Sequence, residues 1–251
     1  MDEFVAALAE QQAELRDLLA GLEPSAWSRP SRCEGWTAGD VVLHVAQTNE
    51  MAIASTQGRF TEFMTDIGRD LGPAADVDDG AARMVDNERG LTSDALRDRY
   101  DRGATTLLEL FDAGDPHTRV QWVAGELSLR TLTTTRLAET WIHTGDVAEA
   151  VGRDLVPGPR LRHIARLAWR TLPYAFARAG RPLRGPVAFE LRGPDGREWN
   201  FVPDEPAVTT VRGDGVELCL VAARRVAPKE TGLSGEGPDV AAVLELVRTY
   251  A

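Results

Sequence analysis

The segment from residue 128 to residue 151 constrains the fold most, because it has the spacing of one long helix with ionisable groups on its apolar face. Each residue of an α-helix turns the chain by about 100° around the helix axis. Several side chains therefore point within about 80° of the direction of Glu139. They are Leu132, Arg136, Ile142, His143, Asp146, Val147 and Ala150. Buried ionisable groups are costly unless they are paired or bound to a metal ion. We therefore expect the fold to provide partners or a metal ion for this group.

The composition narrows the classes of partner. The 251 residues can form one or two domains, and their net charge of -11 disfavours binding to a nucleic-acid backbone. Cys33 and Cys219 lie far apart and indicate no disulfide framework. The acidic, amphipathic N-terminus is unlike a signal peptide, and no apolar run approaches the roughly 18 residues of a membrane helix. We expect a cytoplasmic protein with neither a nucleic-acid nor a membrane partner.

Helical spacing dominates the first 180 residues or so. The predicted helices are 2–22, 38 to the middle sixties, 80–90, 94–113, 128–151 and 159–179. Thr37 and Asp40 have the spacing of a capping box at the start of the second helix. Residues 66–80 are rich in Gly, Pro and Asp, and they predict a mobile loop within one helical domain.

The periodicity changes from 3.6 residues to two near residue 185. Residues 187–192 and 198–202 are strand-like and flank a Gly-Pro-Asp-Gly turn at 193–196, and 207–212 is a third possible strand. Residues 216–223 are apolar enough for a strand or a helix, 230–238 predict a Gly-rich loop, and 239–250 predict a final helix. The sequence therefore predicts an α+β protein, with a helical bundle at 1–155 and a small α/β domain with a leading helix at 156–251.

Two of the four histidines lie on inner faces of predicted helices. His44 and His143, together with Glu139, make two imidazoles and a carboxylate, which is a known catalytic zinc set. The alternative is structural: Glu139 and His143 form an ordinary helix pair, and His44 is a hydrogen-bonded core residue. His117 in a loop and His163 among arginines are expected to be solvated. A helix bundle can supply zinc ligands from facing helices.

Two segments resemble a known family. They are CEGWTAGDVVLHVA at 33–46 and RLAETWIHTGDVAEAVG at 136–152, and they are similar to segments of the mycothiol-dependent maleylpyruvate isomerase family. That family lies within the DinB-like group of metal-binding four-helix bundles. The resemblance implies that His44, Glu139 and His143 bind a divalent metal ion, usually zinc, and that Asp146 matches a family position. It also implies mycothiol as the thiol cosubstrate and a C-terminal domain similar to sterol-carrier-type domains.

The remaining candidate residues each have two interpretations. Asp146 is either a residue that orients a ligand histidine or an ordinary helix carboxylate. Arg136 either holds a substrate carboxylate through its planar fork or neutralises Glu139 or Asp146. For Cys33 we favour a small buried loop residue over a nucleophile, because no nearby partner in the sequence would lower its pKa. Trp122 lies in a loop that could edge a pocket.

Two functions from different classes fit this pattern. The first is an enzyme whose metal ion activates a small thiol for isomerisation of, or S-transfer to, a small electrophile, with Asp146 and Arg136 as accessory catalytic groups. Hydrolysis is disfavoured because the chain has no His-Glu-x-x-His motif and Glu139 is committed to the metal. The alternative is a non-catalytic metal-binding protein whose C-terminal domain binds an apolar ligand. An open coordination position favours the enzyme, and a fourth protein ligand favours the binding protein.

Overall fold

The computed structural model describes residues 1–249, except for the side chain of Asp70. The chain divides into two compact units, Met1–Leu155 and Val156–Ala251. The first unit contains α1 (Glu3–Ala20), α2 (Ala38–Thr56), α3 (Phe60–Leu71), α4 (Val77–Glu88), α5 (Ser93–Ala113) and α6 (Leu129–Val151). A two-residue hairpin, β1 (Arg119–Val120) and β2 (Leu127–Ser128), precedes α6. Among the described residues, no helix is both long and apolar enough to cross a membrane.

Four of these helices form the bundle. α2 packs against α5 and α6, and α1 packs against the same two helices. Their apolar faces meet in a core of fully buried side chains, which includes Leu8, Leu15, Val41, Val45, Leu107 and Leu132. Burial of this apolar surface is the main term that holds the helices together. The structure thus confirms the predicted α+β class with an N-terminal four-helix bundle.

The helix that carries most of the ionisable candidates has well-defined ends. The Ser128 hydroxyl accepts a hydrogen bond from the Thr131 backbone N–H, which caps the first turn of α6. Gly152 ends the helix in the left-handed conformation, with φ of 71°, where a side chain would be strained. Both ends agree with the predicted helix at 128–151, so the face that carries Glu139 is fixed along its whole length.

The predicted second helix is too long, and the predicted loop after it is partly wrong. α2 ends at Thr56, because Gly58 adopts the left-handed conformation and α3 begins at Phe60. α3 continues to Leu71, so the loop predicted at 66–80 shrinks to a short connection. Asp76 then caps α4 by accepting a hydrogen bond from the backbone N–H of Asp79.

The second unit combines four strands with helices. It contains α7 (Leu161–Arg170), α8 (Leu172–Arg178), β3 (Val187–Arg192), β4 (Glu198–Phe201), β5 (Thr209–Asp214), α9 (Gly215–Ala222), β6 (Ser234–Glu236) and α10 (Val240–Leu246). The strand order is β4-β3-β5-β6, with β3 and β5 parallel and the other pairs antiparallel.

Details of this unit differ from the prediction or resolve an alternative that the sequence leaves open. The single helix predicted at 159–179 is two helices that meet at Thr171, with Pro173 in the first turn of the second. Residues 216–223, which the sequence leaves open between strand and helix, are helical because Asp214 caps α9. β6 falls within the predicted Gly-rich loop, and of the final helix predicted at 239–250, Tyr250 lies outside the described residues.

Candidate metal centre

The candidate ligands are brought together by α2 and α6. His44 lies near the middle of α2, while Glu139 and His143 lie one turn apart on α6. His44 Nε2 is 2.9 Å from Glu139 Oε1, and His143 Nε2 is 3.3 Å from the same oxygen. The two imidazole rings meet edge to face, with their centroids 4.9 Å apart. All three side chains are buried.

This arrangement fits a divalent metal ion. Two imidazole nitrogens and one carboxylate oxygen converge, and all three atoms lie within 4.8 Å of one another. Ligand atoms about 2.0–2.1 Å from a tetrahedral zinc ion are roughly 3.3 Å apart, which is close to the observed N···O separations. Two histidines and a glutamate are also one of the ligand sets of known catalytic zinc sites. In the part of the chain that the structure describes, a second group with metal-ligand chemistry is Cys33, His143 and Asp146.

The position of α2 depends on the loop before it. Thr37 and Asp40 form the predicted capping box: the Thr37 hydroxyl accepts from the Asp40 backbone N–H, and the Asp40 carboxylate accepts from the Thr37 backbone N–H. The Ser31 backbone N–H and hydroxyl both donate to the carbonyl of Trp36, which folds the loop tightly. The half-buried Trp36 ring then lies against His44, with centroids 5.0 Å apart.

Asp146 contacts the candidate ligand His143 at Nδ1, the ring nitrogen that does not contact Glu139. Its Oδ2 lies 2.9 Å from Nδ1 of His143 and is 3.4 Å from Sγ of Cys33. The contact with Nδ1 directs Nε2 of the same ring toward Glu139, which is how a carboxylate orients a metal-binding histidine. Asp146 is 1% exposed, so little water competes for this interaction. This contact has the geometry that the orienting role requires, and the role itself stays a prediction.

The charges within the site follow from burial and hydrogen bonding. Burial lowers the pKa of His44, and the hydrogen bond to Glu139 only partly opposes this. Burial acts in the opposite sense on Glu139, but hydrogen bonds from His143 and His44 hold the pKa of that carboxyl well below its ordinary value. For His143, burial is outweighed by hydrogen bonds to Asp146, Cys33 and Glu139, so its pKa lies well above the ordinary value. At neutral pH the site therefore contains a carboxylate, an imidazolium and a neutral imidazole.

Arg136 lies one turn before Glu139 on α6 and is 2% exposed. Its Nη2 donates to the hydroxyl of Thr48 at 2.9 Å and to Oδ1 of Asn49 at 3.0 Å. Within residues 1–249 it forms no direct ion pair with Glu139 or Asp146. Burial lowers its pKa, and the nearby charge of Glu139 raises it.

Two site residues were missed or misjudged from sequence. Cys33 is half-buried and contacts Asp146, a residue 113 positions away, so it has a partner that sequence spacing could not reveal. The Trp36 ring contacts His44, a second contact that sequence spacing could not reveal. The ring centroids of Trp122 and Phe60 lie 5.9 Å apart, and among the described residues Trp122 has no ring contact with the site. His117 is exposed as predicted, whereas His163 is half-buried.

Comparisons with known proteins agree with this architecture. The family model described as the mycothiol maleylpyruvate isomerase N-terminal domain matches residues 8–148. Two uncharacterized Mycobacterium tuberculosis proteins, MT0041 and Rv0036c, are each 31% identical over 252 residues, which cover 99% of this chain and 95% of theirs.

Two solved structures share the fold. The crystal structure of the mycothiol-dependent maleylpyruvate isomerase aligns with a TM-score of 0.59 at 16% identity, over 94% of each chain. A histidine-to-alanine mutant of that isomerase aligns with a TM-score of 0.57 over the same shares. At this level of identity the likeness shows the fold alone, a DinB-like helical domain followed by an α/β domain.

Proposed function

Because the chain belongs to the mycothiol maleylpyruvate isomerase family, we propose that it is an enzyme that depends on a divalent metal ion, zinc being favoured. It activates a small thiol, with mycothiol as the candidate, for isomerisation of, or S-transfer to, a small electrophile. The observation that carries the proposal is the buried convergence of His44, Glu139 and His143 on one point.

The three ligands leave a position for a small molecule in the proposed centre. Zinc sites with three protein ligands are typically catalytic, because the fourth position takes water or substrate. A divalent ion with such an open position lowers the pKa of a thiol that binds there, and so supplies a thiolate near neutral pH. The chain's own cysteines are then not required as nucleophiles.

The surrounding residues position and protect this centre. Asp146 holds the His143 ring through Nδ1, so that Nε2 stays directed toward Glu139. The half-buried ring of Trp36 covers one side of His44, and the burial of the ligands excludes bulk water. Low exposure strengthens electrostatic interactions within the site and suppresses competing hydrolysis. These features support a site where a thiolate, rather than hydroxide, is the nucleophile.

Attack by the thiolate leads to one of two reactions, isomerisation or S-transfer. In isomerisation, sulfur adds to one carbon of an activated double bond, the resulting single bond rotates, and sulfur leaves as the double bond re-forms. In S-transfer, the carbon–sulfur bond remains and the substrate carbanion or alkoxide takes up a proton. Asp146 is the carboxylate on this face that is not among the proposed ligands, which makes it the accessory group for proton movement.

Metal analysis and thiol dependence test the proposal together. We expect the purified protein to bind one equivalent of zinc, His44→Ala and His143→Ala to lose it, and the exposed His117→Ala control to keep it. Mass spectrometry of reactions with zinc, mycothiol and a panel of activated alkenes and epoxides should then show thiol-dependent products. Retention of stoichiometric zinc by both site variants would place the metal elsewhere. Full turnover without thiol would be consistent with the metal's role and would exclude the thiol as a cosubstrate.

A further inference from the structure

A second group of metal-ligand side chains lies beside the proposed centre, on the Nδ1 side of the His143 ring. Oδ2 of Asp146 is 2.9 Å from Nδ1 of His143 and 3.4 Å from Sγ of Cys33. The potential ligand atoms of these three residues all lie within 4.8 Å of one another. Because Nε2 of His143 is directed toward Glu139, the two nitrogens of one ring face two different groups of ligands.

The spacing of these atoms is close to that of a tetrahedral metal site. Zinc binds sulfur at about 2.3 Å, and it binds imidazole nitrogen and carboxylate oxygen at about 2.0–2.2 Å. Tetrahedral angles then separate sulfur from oxygen by roughly 3.5 Å and nitrogen from oxygen by roughly 3.3 Å. The observed distances of 3.4 Å and 2.9 Å differ from these values by a few tenths of an ångström. A small rotation of the Asp146 carboxylate would therefore admit an ion.

The loop before α2 holds Cys33 in position for this role. The Cys33 backbone N–H donates to the Ser31 hydroxyl, and its carbonyl accepts from the Trp36 backbone N–H at 3.0 Å. The residue also packs against the apolar core of the bundle. Cys33 is half-buried, whereas Asp146 is 1% exposed. An ion can therefore enter from the Cys33 side and exchange most of its water for protein ligands.

The ligand chemistry indicates which ions would bind. A thiolate and an imidazole favour zinc and softer ions such as cadmium, whereas Mg²⁺ and Ca²⁺ prefer oxygen ligands. Binding releases two protons, one from the Cys33 thiol and one from Nδ1 of His143, because both ligands must be deprotonated. An ion with two positive charges thus replaces two protons and adds no net charge to this buried region. The large cost of burying an uncompensated charge does not arise.

We propose that Cys33, Asp146 and Nδ1 of His143 form a second metal site for a thiophilic divalent ion such as Zn²⁺. With both sites filled, His143 bridges the two ions through its two ring nitrogens. The second ion binds more weakly than the first, because a ring that already holds one ion must give up its remaining N–H proton. This inference goes beyond the proposed function and does not rest on it, since the second site needs neither His44 nor Glu139.

The test uses cadmium as the probe, because charge transfer from a thiolate to Cd²⁺ gives an ultraviolet absorption band. The proposed centre contains no thiolate, so the band reports the second site alone. We expect Cd²⁺ added to the zinc-loaded full chain to give this band and to saturate it at one equivalent. Cys33→Ser should lose the band, whereas the matched control Cys219→Ser should keep it.

Two further variants separate the second site from a lone thiol and from the proposed centre. Asp146→Asn should weaken cadmium binding by about tenfold or more, since removal of a ligand costs at least as much as removal of a residue that orients one. His44→Ala retains all three ligands of the second site and should keep the band. Zinc stoichiometry and thiol-dependent turnover are measured separately, so failure of the second site is distinguishable from failure of the proposed function.

A measurement on the native chain keeps the proposal testable should a variant fail to fold. Iodoacetamide alkylates accessible thiolates, so the half-buried Cys33 should react, and the fully buried Cys219 should not. We expect saturating Cd²⁺ to slow alkylation of Cys33 by about tenfold or more and Mg²⁺ to leave it unchanged, as mass spectrometry would show.

Several results would overturn the proposal. They are the absence of the cadmium band in the native protein, its persistence in Cys33→Ser, and an alkylation rate that cadmium does not change. A cadmium affinity that Asp146→Asn leaves unaltered would mean that Cys33 binds the ion as an isolated thiol, which also contradicts the three-ligand site.

Discussion

Replacing Asp146 with asparagine removes a charge from the outer side of His143 while keeping the side chain's size. In the native protein Asp146 Oδ2 lies 2.9 Å from His143 Nδ1, and both residues are buried. Removal of a residue that orients a metal-binding histidine commonly lowers metal affinity by about 10- to 100-fold. We therefore expect Asp146→Asn to weaken zinc binding by roughly 1.4–2.7 kcal/mol when protons do not compete.

The pH dependence of this loss has a definite sign. In the proposed centre Asp146 makes His143 a better ligand. Its hydrogen bond also helps to raise the pKa of His143 well above the ordinary value, so protons compete with zinc. In the asparagine variant His143 is a weaker ligand with a lower pKa, so protons compete less with zinc. The ratio of native to variant zinc affinity should therefore increase with pH between the pKa of His143 in the variant and its higher pKa in the native protein. The pKa values of His44 and Glu139 are lowered, so neither group takes up a proton in this window.

The measurement is a competition titration against a chromophoric zinc chelator from pH 6 to pH 9. Glu149→Gln is the matched control, since it makes the same chemical change on an exposed part of the same helix. Its affinity should follow that of the native protein at each pH. An Asp146→Asn affinity equal to the native one throughout, or a loss that is largest at low pH, would refute the assigned orientation and charge of His143.

Zinc loading should release about one proton at neutral pH, because the His143 imidazolium must lose a proton to bind; calorimetry in buffers of different ionisation enthalpy measures this. Cys33→Ser retains a hydrogen-bond donor and should keep zinc affinity within about twofold, whereas Cys33→Val should weaken it several-fold in the same chelator assay. Gly193→Ala should lower stability by about 1–3 kcal/mol, because its Cβ would lie 2.6 Å from the Trp199 ring. Gly145→Ala, which meets open space within α6, should raise it by about 1 kcal/mol, and urea unfolding compares the two.

The parts of the fold that the sequence predicts are those with strong local patterns. α6 has a capping serine, a long helical period and a terminal Gly152, so its ends follow from local chemistry. The break at Gly58 is harder to predict, because an isolated glycine is tolerated within many helices and only its left-handed conformation shows the stop. The helix predicted at 80–90 begins three residues earlier, at Val77, because the Asp-rich stretch obscured its first turn, although Asp76 is itself a good cap.

The candidate site was predictable only where its residues share a helix. Glu139 and His143 are four residues apart, so helical geometry alone places them together. His44 was grouped with them by residue type and by the family resemblance, since nothing local links residues 95 positions apart. The contact of Cys33 with Asp146 and the neutral partners of Arg136 depend on how three segments pack. Side-chain packing of this kind leaves no periodic trace in the sequence.

The span of the proposed ligand set has a consequence for how long the protein survives in a cell. A zinc ion bound to His44 and Glu139 would cross-link α2 and α6 reversibly, and it would close a loop of 95 residues that contains α3, α4 and α5. At free zinc concentrations 100-fold above the dissociation constant of zinc, this cross-link adds about 2.7 kcal/mol to the free energy of opening the bundle. Chain turnover by proteases should then follow the supply of zinc, with starvation exposing α3 and α4 to cleavage before the rest of the helical unit.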